Sequence, residues 1–247
     1  MKYLILSDMH GNWEALRAVL IHARRKRFDA VLMLGDVVGY GAAPNQVVEG
    51  LLGLSPKVYA IRGNHDKVVA GIQEGENFNH AALEAARWTA ERLTAKNRRY
   101  VYELPEGPIR VAEDVAICHG SPLDEDTYVL SDFDAFEIFS AFDSPLTFFG
   151  HTHVTSMFWV RGGHVRVEAL RGKTGRIALH PEARYLINPG SIGQPRDRDP
   201  RASYMTYDSS RRVVRWYRVA YPIDKAQKRI LSAGLPGMLA ERLAFGM

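Results

Sequence analysis

The 247-residue sequence predicts an α/β fold built as two facing sheets. Three observations carry that expectation. Over the first 65 residues, short apolar runs alternate with segments of helical period, the texture of parallel strands joined by right-handed crossovers. From Val154 the texture changes to closely spaced alternating strands, which predicts a second, more antiparallel sheet. No internal repeat, low-complexity tract or linker divides the chain, so residues 1–247 are expected to form a single domain with a helical tail over about 224–247.

Each element has its own reason. Residues 2–7 form an apolar run suited to a buried strand. Asn12 is placed to cap a helix reaching about Phe28, with Leu16, Val19, Leu20 and Ala23 at helical spacing. Residues 30–34 are a second buried strand, and Pro44 suits a first helical turn followed by Val47, Val48, Leu51 and Leu52 on one face. Residues 57–61 are the third strand. Residues 80–96 read as one amphipathic helix of good helix formers. Residues 109–111 and 115–118 read as a hairpin about Glu113-Asp114, residues 133–142 as a helix and residues 146–149 as a buried strand. Strands are then expected at 157–160, 164–170, 176–179, 184–187, 203–207 and 213–219. The tail, 225–247, reads as one or two helices.

A composition of 46% hydrophobic and 24% charged residues excludes a disordered, collagenous or coiled-coil chain. Cys118 is the only cysteine, so no internal disulfide forms, which fits a reducing compartment. No stretch approaches the roughly 18 apolar residues of a membrane span. The apolar start is cut by Asp8, too short for a signal-peptide core. A cytoplasmic location without a membrane partner is expected. The net charge of +4 alone would point to nucleic acid, but its distribution does not. Residues 121–160 carry no Lys or Arg and seven acidic side chains, while residues 161–247 carry 17 basic and seven acidic ones.

Five apolar runs end on residue types that bind metals. The first ends on Asp8, with His10 two further; the second on Gly35-Asp36; the third leads to Asn64-His65-Asp66. The fourth ends on His119-Gly120 and the fifth on Gly150-His151-Thr152-His153. In an open parallel sheet, ligands bind outside the carboxyl ends of the strands, so these ends are expected to converge on one crevice. The pairs Asp8/His10 and His151/His153 are spaced i, i+2, which on extended backbone places both side chains on one side. Seven nitrogen and oxygen donors are too many for one four-coordinate zinc, but they suit two ions bridged by a carboxylate. Two ions about 3.5–4 Å apart can clamp a phosphoryl group. Oxygen and imidazole donors without thiolate point to Mn, Fe, Zn, Co or Ni.

In this order, Asp-x-His, Gly-Asp, Gly-Asn-His-Asp, His-Gly and Gly-His-Thr-His resemble the calcineurin-like metallophosphoesterase family. Residues 7–12 with Glu14-Ala15-Leu16 are especially similar to its small bacterial phosphodiesterase-type members, and Asn188-Pro189-Gly190-Ser191 resembles a further family loop. The resemblance implies a four-layer α/β-β-α sandwich of two facing mixed sheets flanked by helices, with the dimetal site at strand ends. It implies that Asp8, His10 and His153 hold one divalent ion and Asn64, His119 and His151 the other, with Asp36 bridging. His65 would stabilise a phosphoryl oxygen or protonate the leaving group, oriented by Asp66. The reaction implied is hydrolysis of a phosphodiester or phosphomonoester by in-line attack of metal-bound hydroxide.

Other residues read less sharply. Asp66 also suits a helix cap for a segment over 67–72. The loop 188–196 is either a tight turn set by Gly and Pro or a wall of the site, with Arg196 meeting a substrate phosphate. Tyr40, between two glycines, is a candidate substrate-facing aromatic. Cys118 reads as a small core residue. Gly172-Lys173-Thr174 lacks the upstream glycine of a P-loop, which Val167 replaces. The expected substrate is a phosphorylated small molecule or nucleotide. A metal-dependent nuclease is the alternative, disfavoured because the acids of 121–160 are expected to border the mouth and repel long polyanions. A non-catalytic metal-binding scaffold of the same fold is the other; it would be expected to lack ligands that are all present here.

Overall fold

The computed structural model describes residues 1–247. The first strand, β1 (Lys2–Leu6), leads through Asn12 into helix α1 (Trp13–Ala23), where the Asn12 side chain accepts from the Ala15 N–H. The helix is shorter than expected. A 3-10 turn, Arg24–Lys26, and a left-handed Arg27 end it before Phe28. Strand β2 (Ala30–Met33), helix α2 (Pro44–Leu52) with Pro44 in its first turn, and strand β3 (Lys57–Ala60) complete the β-α-β-α-β start. Helix α3 (Asn64–Ala70) follows at once.

The helix expected over 80–96 is two helices, α4 (His80–Arg92) and α5 (Ala95–Tyr102). At the break, Leu93 turns to extended backbone and the Thr94 side chain caps the second helix at the Asn97 N–H. Asn45 holds the corner, donating to the Arg92 carbonyl and accepting from the Thr94 N–H. Strands β4 (Ile109–Ala112) and β5 (Val115–Ile117) form the expected hairpin. Helix α6 (Asp132–Ala141) is capped by Ser131, and β6 (Leu146–Phe148) follows. Six strands complete the sheets: β7 (Thr155–Arg161), β8 (His164–Ala169), β9 (Thr174–Ala178), β10 (Arg184–Pro189), β11 (Ala202–Asp208) and β12 (Val213–Val219). The tail is two helices, α7 (Ile223–Ser232) and α8 (Gly237–Phe245).

The strands form two mixed six-stranded sheets, ordered β3-β2-β1-β11-β12-β9 and β4-β5-β6-β10-β7-β8. The expectation of a separate, more antiparallel second sheet is corrected here. The later strands are shared out: β9, β11 and β12 extend the parallel β1–β3 ribbon, while β7, β8 and β10 join β4–β6. Alternation along β1 explains the layers. Tyr3 and Ile5 face the core between the sheets with Ile117, Phe148, Ile187 and Met205, whereas Leu4 and Leu6 face the helical layer with Leu16, Val47, Leu239 and Leu243. Helix α6 covers the other sheet through Ala135, Ile138 and Phe139 against Phe149, Phe158 and Cys118. The result is the four-layer α/β-β-α sandwich expected from the resemblance, and Cys118 is a buried free thiol as read. No helix is long and apolar enough to cross a membrane.

Candidate metal centre

The expected strand ends converge. Asp8 and His10 follow β1, Asp36 follows β2, Asn64 and His65 open α3 after β3, His119 follows β5, and His151 and His153 follow β6. Ligand atoms of Asp8, His10, Asp36 and His153 lie within 4.8 Å of one another, as do those of Asp36, His119 and His151, and both groups are buried.

The route to this convergence differs from the extended i, i+2 geometry expected. Asp8 (φ 53°), His10 (φ 47°), Asp36 (φ 51°), His151 (φ 65°) and His153 (φ 60°) are all left-handed. Asp and His tolerate this region better than most residues, yet each costs about 1 kcal/mol that the surrounding packing must offset. Side chains converge because the chain turns sharply after each strand. Two glycines permit the approach: a Cβ on Gly63 would strike the Asp36 carboxylate, and one on Gly150 would strike the Ser7 hydroxyl.

Each imidazole is anchored at one nitrogen by a backbone carbonyl. Nδ1 of His10, His119 and His153 donates to the carbonyls of Val38 (3.3 Å), Leu34 (2.7 Å) and Gln194 (2.6 Å). His151 is reversed, with Nε2 donating to the Asp126 carbonyl at 3.0 Å. These partners assign the tautomers and turn the remaining nitrogen of each ring toward the cluster. Lone pairs therefore face one another. His10 Nε2 and His153 Nε2 are 3.0 Å apart, and His119 Nε2 lies 3.1 Å from Asn64 Oδ1. Asp36 Oδ2 sits 3.4 Å from His10 Nε2 and 3.5 Å from His119 Nε2. Donors confronting donors repel, and a cation between them converts repulsion into ligation; the residues fit a metal.

The electrostatics agree. Burial pushes Asp8 up to about 7 against the opposing pull of His119. Burial also opposes ionisation of Asp36, but His119, His10 and His65 outweigh it and hold that carboxyl well below the usual range. Burial disfavours a charged His119, yet Asp36 and Asp8 hold it up at about 10. Burial drives His10 and His153 well below the ordinary imidazole value, and burial with His119 beside it pushes His151 down to about 3. Neutral His10, His151 and His153 with an ionised Asp36 are in the protonation states that ligation requires, whereas His119, held protonated by Asp36 and Asp8, would release its Nε2 proton on binding an ion.

His65 is placed beside the cluster, its ring 4.8 Å from that of His10, 4.3 Å from Tyr40 and 4.4 Å from Phe78. Burial, with Arg196 and His119 adding to it against Asp36, lowers it to about 4. Asp66 does not orient it. The Asp66 carboxylate accepts from the backbone N–H groups of Val37, Val38 and Gly63 at 3.0–3.2 Å, so it ties the β2 and β3 ends together, while His65 Nδ1 has no hydrogen-bond partner. Tyr40 and Arg196 both reach the cleft. The Arg196 Nη2 donates to the Tyr40 hydroxyl at 3.3 Å, and both residues line a cleft of about 220 Å³ with Asp36, Asn64, His65 and His151. The loop 188–196 does the work of a brace as well as a wall. Asn188 donates to the Gly150 carbonyl and Ser191 to the Asp8 carbonyl.

The acids expected to border the mouth are partly neutralised: Lys67 Nζ contacts Glu125 at 2.9 Å and Asp126 at 2.7 Å, and Arg62 contacts Glu125 at 3.0 Å. Sequence reasoning missed Lys67, Phe78, Tyr128 and Arg242. Tyr128 stacks on His151 at 3.9 Å, and Arg242 lines the same cleft from α8. The one available signal for Arg242 was a lone cation between Leu239, Ala240 and Leu243, the apolar positions of its helix.

Comparison with known proteins gives the family and the fold. A protein of Methanocaldococcus jannaschii is 35% identical over 98% of this chain and 97% of its own length. The crystal structure of a metallophosphoesterase from Sphaerobacter thermophilus superposes with a TM-score of 0.86 at 38% identity, covering 100% of this chain and 99% of that one. A hypothetical protein from Pyrococcus horikoshii shares the fold, with a TM-score of 0.80 at 19% identity over 100% and 98% of the two chains. Family members use divalent metals, which the buried Asp/His groups could hold. Residues 1–212, which carry every strand-end donor, match the calcineurin-like phosphoesterase superfamily domain, and the chain belongs to that superfamily.

Proposed function

We propose that the protein is a two-metal phosphoesterase that hydrolyses a phosphodiester or phosphomonoester of a small molecule or nucleotide, with residues 1–247 acting as one cytoplasmic domain. The observation that carries this reading is Asp36, the one residue common to both donor groups, whose Oδ2 faces His10 on one side and His119 on the other. Asp8, His10, Asp36 and His153 would hold one ion, and Asp36, Asn64, His119 and His151 the other. Two divalent ions of the Mn, Fe, Zn, Co or Ni type supply positive charge that clamps a phosphoryl group and lowers the pKa of a nearby water.

The chain's own groups do the rest. His65 turns Nδ1 to Gly39, where an added Cβ would lie 2.5 Å away, and this leaves Nε2 for the cleft. Burial keeps the resting ring neutral, so Nε2 would meet a phosphoryl or leaving-group oxygen as a hydrogen-bond partner. The negative charge of a bound phosphoryl group would raise the pKa of the ring, and the imidazolium so formed could hand a proton to the leaving oxygen and return to neutral. Asp66 holds the two strand-end turns at fixed separation, and the 188–196 brace does the same for the Asp8 and Gly150 turns.

A nuclease gains no support from the charge map. The main basic cleft outside the site, lined by Lys2, Lys26, Arg176, Arg211 and Arg215, lies at the opposite end of β1 from Asp8. The test is hydrolysis of p-nitrophenyl and bis-p-nitrophenyl phosphate with added Mn²⁺. Wild type is expected to turn over at least one of them, and Asp36→Asn to lose at least about 10²-fold. Equal turnover by the two proteins would contradict the assignment.

A further inference from the structure

Helix α8 brings Arg242 to the same cleft as Arg196, and the tail that carries it is fastened. Leu239, Ala240 and Leu243 are buried in the helical layer, and Arg229 of α7 pairs with Glu14 of α1 at 2.8 Å. The Arg198 N–H donates to the Gly246 carbonyl at 2.9 Å, joining the end of α8 to the loop that carries Arg196. The guanidinium carbons of Arg196 and Arg242 lie 5.9 and 6.0 Å from the centre of the Tyr40 ring, which is itself 4.7 Å from the His10 ring.

Arg201, Arg218 and Arg229 are matched with acids: Asp199, Asp197 and Glu14 in turn. Arg196 and Arg242 form no ion pair, and they are the arginines that line the cleft. The Arg196 guanidinium donates only to the Tyr40 hydroxyl and the Gln194 side chain, both at 3.3 Å, and its buried Nε has no partner. Arg242 is half-buried, and burial and the Arg196 charge both work against its protonated form. Two guanidiniums at one cleft repel each other, the Asp36 carboxylate that also lines it is bonded to neither, and an anion between them removes that cost. The forked donors of arginine match phosphate and carboxylate oxygens in pairs. The scissile phosphoryl group already has the donor cluster and His65 to meet it, and neither guanidinium is hydrogen-bonded to the side chains of those seven donors.

We infer that Arg196 and Arg242 form a clamp for a second anionic group of the substrate, so that the preferred substrates are phosphoesters carrying a further phosphate or a carboxylate. The inference takes the identity of the reacting group from the phosphoesterase reading.

Calorimetric titration of the full-length, Mn²⁺-loaded protein with three non-hydrolysable probes tests it: propylphosphonate, 3-phosphonopropionate and propane-1,3-diphosphonate. Wild type is expected to bind at least one doubly anionic probe tenfold or more tightly than propylphosphonate, and which one identifies the second group. Arg242→Gln should remove that advantage, and Arg242→Lys, which keeps the charge without the fork, should retain part of it. An advantage that is absent, or equal in wild type and both variants, overturns the clamp. Turnover of p-nitrophenyl phosphate is measured alongside. Turnover without an Arg242-dependent advantage overturns the clamp alone; the advantage without turnover of p-nitrophenyl or bis-p-nitrophenyl phosphate overturns the phosphoesterase reading alone.

Discussion

Every imidazole of the donor cluster is fixed at its far nitrogen by a backbone carbonyl, and every one lies at a turn that the neighbouring strands dictate. The rim of the cleft is made differently. Arg196, Arg242, Tyr128 and Phe78 reach it from loops and a terminal helix, and they rest on the rings of Tyr40, His151 and His65 rather than on backbone carbonyls. The cluster gains precision from backbone strain and burial, at the expense of tolerance to change. The rim gains room to discriminate among substrates, because a side chain there can be replaced without disturbing a strand end. In such a molecule, chemistry and specificity are separable by mutation.

His65 strains that division most, since it is buried like a donor but unanchored like a rim residue. His65→Ala is expected to lower kcat by about 10²–10⁴-fold while leaving the bound metal unchanged. Loss of metal in that variant would place His65 within the cluster instead. The next effect concerns Lys67, which holds the Asp126 side chain while the Asp126 carbonyl holds His151. Lys67→Met should weaken divalent-ion binding by about 10- to 100-fold, with a smaller change in kcat at saturating metal. Unchanged metal affinity would show that the 124–128 segment is not part of the anchoring. The smallest effect is one of pH. Burial opposes ionisation of Glu125, but Arg62 and Lys67 outweigh it and hold its carboxyl below the ordinary value. A lowered folded-state pKa means stability that is present above the unfolded value, about 4.3, and lost as pH falls below it. Glu125→Gln should therefore melt about 2–4 °C below wild type at pH 7, with the gap closing toward pH 3. A gap that is constant with pH would remove the ion pair from the account.

Much of the cluster was legible in the sequence because the donors sit where apolar runs stop, and a run's end is a local property. The same holds for the β1–β3 start, the hairpin at Glu113-Asp114, the cap at Asn12 and the first helical turn at Pro44. What escaped was non-local. Alternation in β7 to β12 marks strands but says nothing of which sheet each will join, since both sheets present one face to the same inter-sheet core. The break at Leu93-Thr94 depends on Asn45, nearly fifty residues earlier in the chain. Asp66 carries the right charge beside His65, yet the N–H groups of Val37 and Val38 from the turn after β2, with that of Gly63 at the start of its own helix, compete for it and win. Arg242 belongs to the site only because α8 folds back over the first sheet, and nothing near it in sequence records that return.

The sharing of Asp36 between two donor groups is the claim on which the rest depends. Counting the divalent ions bound per chain, by elemental analysis of metal-loaded wild type and of Asp36→Asn, tests it most directly. The account predicts about two ions per wild-type chain and the loss of at least one in the variant. A single ion in wild type, or an unchanged count in Asp36→Asn, would contradict it.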